Sequence, residues 1–304
     1  MVLNPRKFSD TKGSRDRGSR EFKAHFVSKE GSLMKVASSK VIATHPMNSI
    51  KNVAALMKDS DVRRLPVIDA GKNRLEGIVA AIDILDFLGG GDKYNIIEKD
   101  FHGNFLSAIN SPVNKIMRPA MFLDSQSSVD DAVEIMIGKR SSCITIVENA
   151  KTMRVVGLVT ERDLLPKAED FGVKVGDVMQ KNVITATKGM MLSDVSKVMV
   201  RSRLRRLPVI EDEKLVGIIT VLDVLGFLEK GNFNSVNAEE NLSVRTGSLM
   251  EKTIVSVSIG DDLGLVCKLV NETGYGGFPV AEDGKLLGIV TITDVLRHVY
   301  GGSE

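Results

Sequence analysis

The chain of 304 residues is long enough for two domains of ordinary size. Hydrophobic residues at 43% and charged residues at 26% are the balance of a soluble globular protein, and a net charge of +2 is too small to argue for nucleic acid from the total alone. No apolar run approaches the ~20 residues that span a bilayer, the N-terminus has no signal core, and Cys143 and Cys267 form neither a CxxC pair nor a disulfide framework, so a reducing, cytoplasmic setting is expected.

Residues 1–31 read as a basic arm. Eight Lys and Arg stand against four Asp and Glu, among Gly and Ser, with no apolar period. Such a segment buries too little surface to offset its ordering entropy, and it is expected to be a solvated tail. A nucleic-acid or acidic partner is the alternative, disfavoured by the mixed signs of charge.

From residue 32 onward one pattern occurs four times. Its marker is a Gly followed six residues later by an Asp: Gly77 and Asp83, Gly157 and Asp163, Gly217 and Asp223, Gly288 and Asp294. A short apolar strand precedes each marker: Leu65–Ile68, Ile144–Val147, Leu207–Ile210 and Phe278–Ala281. Earlier still lies an amphipathic helix with one buried stripe. The stripe is Ile50, Val53, Ala54 and Met57 in the first unit, then Val129, Ala132, Val133 and Met136. It returns as Leu192, Val195 and Met199, and as Leu263, Val266, Cys267 and Val270. Cys267 therefore belongs to a core, not to a nucleophilic site. Closing helices are expected to begin directly after each Asp, at Ile84–Leu88, Leu164–Lys167, Val224–Leu228 and Val295–Tyr300.

The spacing divides the chain into a first repeat at 32–90, a linker at 91–111, repeats at 112–170 and 171–230, a loop at 231–243 and a last repeat at 244–304. In the linker, Tyr94, Ile96, Ile97, Phe101, Phe105, Leu106 and Ile109 predict one helix lying on the body. The run Gly89-Gly90-Gly91 before it reads as a flexible joint. A unit of this size is small for an independent core, so the four are expected to pair.

The pattern of Pro-Val in an apolar strand, then Gly-Ile-Ile/Val-Thr-x-x-Asp opening a helix, resembles the CBS domain, named for cystathionine beta-synthase. Four repeats in one short chain resemble the gamma subunit of AMP-activated protein kinase. The stretch from Asp83 to Asn95 is similar to the stand-alone four-repeat proteins of archaea. The resemblance covers residues 32–301 and implies an α/β (α+β) fold. In it, the four tandem repeats pair into two Bateman modules stacked as a pseudo-symmetric disk. It also implies a non-catalytic regulatory module that senses energy state through adenine nucleotides in clefts between paired repeats and reports to a regulated protein.

Several polar positions acquire roles from this resemblance. Asp83, Asp163, Asp223 and Asp294 would accept from ribose hydroxyls, although a helix cap alone explains any one of them. Thr160, Thr220 and Thr291, three residues earlier, would offer hydroxyls to ribose or phosphate; Ala80 replaces them in the first repeat. Thr293 is a further hydroxyl of this kind. Arg63, Arg64, Arg205 and Arg206 would pair phosphates, one cluster per pair of repeats, with one arginine of each dipeptide facing a given cleft. The matching positions, Ser141-Ser142 and Gly276-Gly277, carry no charge. Thr44, Thr185 and Ser256 lie near the base slot.

The expected ligand is AMP, ADP or ATP. S-adenosylmethionine is the rival, and a nucleic-acid partner held by the arm is a reading of another class. No catalytic cofactor is expected: His25, His45, His102 and His298 lack metal-ligand spacing, and no Walker loop occurs. Association of two chains into a homodimer is left open.

Overall fold

The structure, a computed structural model, describes residues 20–23, 32–139, 141–166, 170–230 and 238–301. Each repeat contains the predicted hairpin: Arg64–Ile68 with Leu75–Ala80, Cys143–Val147 with Val155–Thr160, Arg206–Glu211 with Lys214–Thr220, and Gly277–Glu282 with Lys285–Thr291. All four are antiparallel, and each has a register shift at the same place, as between Val209 and Ile210.

The marker glycine is explained by what crosses over it. In each repeat a segment of the partner repeat runs across the second hairpin strand. Arg118 exchanges backbone hydrogen bonds with Ile78, Ser38 with Leu158, Glu251 with Ile218, and Gln180 with Ile289. First and second repeats thus clasp each other, as do third and fourth. A Cβ on Gly77, Gly217 or Gly288 would lie 2.8, 2.9 or 3.0 Å from the crossing backbone oxygen of Arg118, Glu251 or Gln180. Only glycine lets two backbones approach so closely.

The clasped pairs are also joined edge to edge. Lys285 bridges to Lys214, making one four-stranded sheet of the third and fourth hairpins. Arg74 bridges to Arg154 in the first and second. The helices then pack between modules. One core merges Ile50, Met57 and Leu85 of the first repeat with Leu192, Met199 and Leu225 of the third. A second merges Met136 and Leu164 of the second repeat with Cys267, Val270 and Leu296 of the fourth. Every predicted stripe residue is buried in these cores except Val129, which packs partly buried against the second. This is the stack of two paired modules that the repeats imply.

Four local expectations are corrected. Within the arm, Arg20–Lys23 form a strand antiparallel to Lys40–Ala43; the rest of 1–31 lies outside the described residues. The linker makes two helices, Tyr94–Phe101 and Phe105–Ile109, because left-handed His102 (φ 50°) and Gly103 (φ 76°) end the first and Asn104 caps the second. The glycine run is close-packed: Gly90 is buried, and a Cβ there would meet Val200 at 2.5 Å. In the 231–243 loop, Ala238–Asn241 are helical and Asn241 and Leu242 are buried; 231–237 lie outside the described residues.

The closing helices begin two residues before the Asp, not after it: Ala81–Leu85, Val221–Lys230 and Ile292–Tyr300, with a 3-10 turn at Glu161–Leu164 in the second repeat. That turn stops early because Pro166 forces Leu165 into an extended conformation (ψ 132°). Lys167 lies outside the described residues.

Candidate functional site

The helix geometry gives each Asp a fixed local task. In the second, third and fourth repeats the Asp reaches back to the threonine before the helix. Thr220 illustrates it: both its N–H and its hydroxyl donate to Asp223 Oδ2, each at 2.7 Å. Thr160 does the same to Asp163, and Thr291 to Asp294. One carboxylate oxygen is thus spent on the helix start, and the threonine hydroxyl on the carboxylate. The other oxygen, Oδ1, is the one that can meet a ligand.

What faces Oδ1 differs among the repeats, because the crossing residue differs. On Asp83, Lys93 Nζ lies 2.6 Å from Oδ1 and Arg118 Nε 3.1 Å from Oδ2. On Asp294, Gln180 donates its side-chain amide to Oδ1 at 3.0 Å. Asp223 has Glu251 at the crossing, which brings no cation, and Lys58 at 4.0 Å. At Asp163 the crossing residue is Ser38, whose hydroxyl donates to the Lys40 carbonyl instead.

A cavity of about 190 Å³ opens at Asp223. Its walls come from three repeats. Ile218, Leu222, Ile254, Val255 and Pro279 supply apolar lining, and Thr220 and Asp223 are also on the wall. Lys58, Arg63, Arg205 and Arg206 bring positive charge, against Asp61, Asp223 and Glu251. Thr253, Ile254 and Val255 line the cavity, whereas Ser256 is exposed and Thr44 is buried, accepting from Asn48.

The arginines do not form one cluster per pair of repeats. Those of the first and third repeats, from different modules, converge on the centre and reach into the uncharged second and fourth repeats. Arg205 donates to Ser142 Oγ at 3.1 Å and to Glu161 at 3.4 Å; Arg206 donates to the Gly277 carbonyl. Gly276 is small because a guanidinium occupies that space: a Cβ there would sit 3.1 Å from Arg206, whereas at Gly277 it would meet the Val290 carbonyl oxygen at 2.7 Å. Burial, then the neighbouring Arg63 and Arg205, pushes Arg206 down to about 9. Burial, then Arg205, pushes Arg64 down to about 10. Both remain cationic at neutral pH, held in a charge-rich interior that favours an anion.

Arg63 and Arg64 diverge, as adjacent residues entering a strand must. Arg63 lines the cavity and Arg64 does not; the groups that act on Arg64 electrostatically are Arg205 first, then Cys143, Glu161 and Arg118. Thr293 is also engaged within the chain. It donates to Glu161 at 2.7 Å, so the buried Glu161 ties the fourth repeat to Arg205. Both cysteines are buried, and burial raises their thiols, Cys143 to about 11. Among the described residues there is no group of three or more His, Cys, Asp or Glu able to hold a metal. No helix among them is long and apolar enough to cross a membrane.

Two clasped pairs of strand–strand–helix units around a shared arginine centre define a four-repeat α/β module with clefts between its repeats. The chain belongs to the CBS-domain family: the family model matches residues 33–90, 113–169, 175–230 and 247–301. It is 35% identical over 277 residues to protein MJ1225 of Methanocaldococcus jannaschii, covering 88% of this chain and 98% of that one. The crystal structure of MJ1225, described as a candidate archaeal homologue of g-AMPK, superposes with a TM-score of 0.82. A 33.4 kDa protein in a ribosomal RNA operon of Thermofilum pendens is 30% identical over 267 residues, covering 85% of this chain and 88% of that protein. An uncharacterized conserved protein from Pyrococcus horikoshii, 16% identical, shares the fold with a TM-score of 0.55 over 88% of this chain.

Proposed function

We propose that this chain is a non-catalytic regulatory module that binds an adenine nucleotide in the cleft at Asp223. One observation carries the reading. The apolar lining, the Thr220–Asp223 pair and the cations Lys58, Arg63, Arg205 and Arg206 meet in one cavity, although they come from three repeats. A flat base needs an apolar slot, a vicinal diol suits a carboxylate, and a phosphate needs cations. Asp223 Oδ1 is the oxygen for ribose, since Oδ2 is engaged by Thr220. The likeness to MJ1225, described as a candidate homologue of g-AMPK, supports a regulatory role in which occupancy is reported to another protein.

S-adenosylmethionine is the second reading within the same class. The four cations argue against its sulfonium and for phosphate. Titration calorimetry of the full chain with AMP, ADP, ATP and S-adenosylmethionine tests the proposal. At least one phosphate-bearing nucleotide binds, and Arg206→Ala and Asp223→Ala each weaken it by roughly tenfold or more, the worth of a charge-assisted hydrogen bond. Equal binding of S-adenosylmethionine, unaffected by Arg206→Ala, would refute the phosphate assignment.

A further inference from the structure

The four clefts are not equivalent, and the first carries its own occupant. Asp83 is buried, so its carboxylate cannot remain charged without partners. It has them from inside the chain. Lys93 donates to Oδ1 at 2.6 Å, Arg118 to Oδ2 at 3.1 Å, and the Ala80 N–H to Oδ2 at 2.8 Å. Both carboxylate oxygens are therefore engaged, whereas the nearest cation to Asp223 stands off at 4.0 Å.

The Lys93 contact is built by the surrounding backbone. Left-handed Gly89 (φ 122°) turns the chain after the closing helix. Asp86 Oδ1 then accepts the Lys93 N–H at 2.9 Å, which fixes where the side chain starts. Its ammonium also donates to the Ile116 carbonyl at 2.9 Å, so it bridges the first repeat to the segment leading into the second. Arg118 arrives from the other side, on the strand that crosses Gly77. In the same repeat Ala80 takes the place of the threonine, so no hydroxyl is offered there. The close-packed glycine run thus positions a lysine.

We infer that Lys93 and Arg118 close the first repeat's cleft, so that Asp83 carries no nucleotide while Asp223 does. This rests on the nucleotide reading above and specifies which cleft it excludes. Lys93 is a positioning residue for the empty state: its ammonium takes the hydrogen-bonding place a ribose hydroxyl would need.

The test is AMP co-crystallised with the full chain, alongside calorimetric titration of AMP into the Asp83→Asn, Lys93→Met and Asp223→Asn variants. The expected crystal shows ribose at Asp223 and Lys93 Nζ still on Asp83. Asp83→Asn and Lys93→Met keep the parent's number of bound AMP per chain, with affinity within about twofold, as for changes remote from the site. Asp223→Asn weakens or removes one bound AMP. Ribose density on Asp83 with Lys93 swung to the phosphate overturns the inference. So does loss of a bound AMP in either Asp83→Asn or Lys93→Met. If Asp83→Asn fails to fold, Lys93→Met decides alone, because a phosphate-binding lysine could not be removed without losing a ligand. If Asp223 is equally empty and no AMP binds, the nucleotide reading falls and takes this inference with it.

Discussion

Replacing each marker glycine by alanine should reproduce, in stability, the closeness of the strand that crosses it. In Gly77→Ala the new methyl would lie 2.8 Å from the Arg118 carbonyl oxygen, where ordinary contact begins near 3.4 Å. The crossing strand must therefore shift by roughly half an ångström, within the range where core overpacking is felt. It is held by two reciprocal bonds, Ile78 N–H to Arg118 at 2.9 Å and Arg118 N–H to Ile78 at 3.0 Å. Straining both costs about 2 kcal/mol, at roughly 1 kcal/mol each. For a protein of this size that lowers the melting temperature by about 3 °C. The distance to the crossing oxygen is 2.9 Å at Gly217, 3.0 Å at Gly288 and 3.3 Å at Gly157, and at Gly217 and Gly288 the methionine sulfur is nearer still, at 2.7 and 2.5 Å, so Gly77, Gly217 and Gly288 should each cost more than Gly157. Gly157→Ala should cost less than about 1 kcal/mol, since its neighbour need yield only slightly. Gly138→Ala is the control: a Cβ there meets nothing within 4 Å, and a helical alanine is favoured over glycine by up to ~1 kcal/mol. Calorimetric melting of the five variants checks the series. A Gly157→Ala as damaging as Gly77→Ala, or a harmless Gly77→Ala, would refute the close-approach account.

Arg205→Ala and Glu161→Gln should couple by about 1 kcal/mol in a double-mutant cycle on stability, as contacting charged groups do, and additive effects would exclude their ion pair. Asp262 caps the helix Leu263–Thr273 and also accepts from the Phe171 and Val173 N–H groups, and these bonds, Phe171 first, hold its pKa below the usual 3.8. A carboxyl depressed in the folded state stabilises above its unfolded pKa and ceases to as pH falls through the folded one. Asp262→Ala should therefore cost about 1 kcal/mol at neutral pH, a difference that shrinks in melts taken below pH 3.8. Deleting residues 1–31 should speed hydrogen exchange of the Lys40–Ala43 edge, and unchanged protection there would exclude the Arg20–Lys23 pairing.

The fold was legible because its signals are local. Hairpin strands, helix stripes and the six-residue step from Gly to Asp each lie within a few turns of chain, and four copies in phase reinforce one another. Partnership was not legible in the same way. Arg205 meets Ser142 across 63 residues, and Arg206 meets Gly277 across 71, so no window of sequence holds both ends. A usable signal was nonetheless present. Met117, Met179 and Met250 each stand directly before the crossing residue, Met34 lies a turn before Ser38, and in each case the thioether packs over the partner's marker glycine. The residues that follow each crossing methionine, among them Arg118, Gln180 and Glu251, distinguish one cleft from another. Which of the four aspartates is more than a helix cap was not legible, because Asp alone says nothing about what is aimed at its second oxygen.

The clasp also imposes an order on synthesis. Gln180 has its backbone partner at Ile289 and its side-chain partner at Asp294, 114 residues later. As the chain leaves the ribosome, the third repeat is complete long before the strand it must cross exists. Its crossing segment, with Met179, then waits exposed until Lys285–Thr291 emerges. The first module meets the same wait, because Met34 and Ser38 find their partners Gly157 and Leu158 only when Val155–Thr160 emerges. A chain that stops short of Lys285 therefore leaves the third repeat's crossing segment, with Met179, without the strand it packs on.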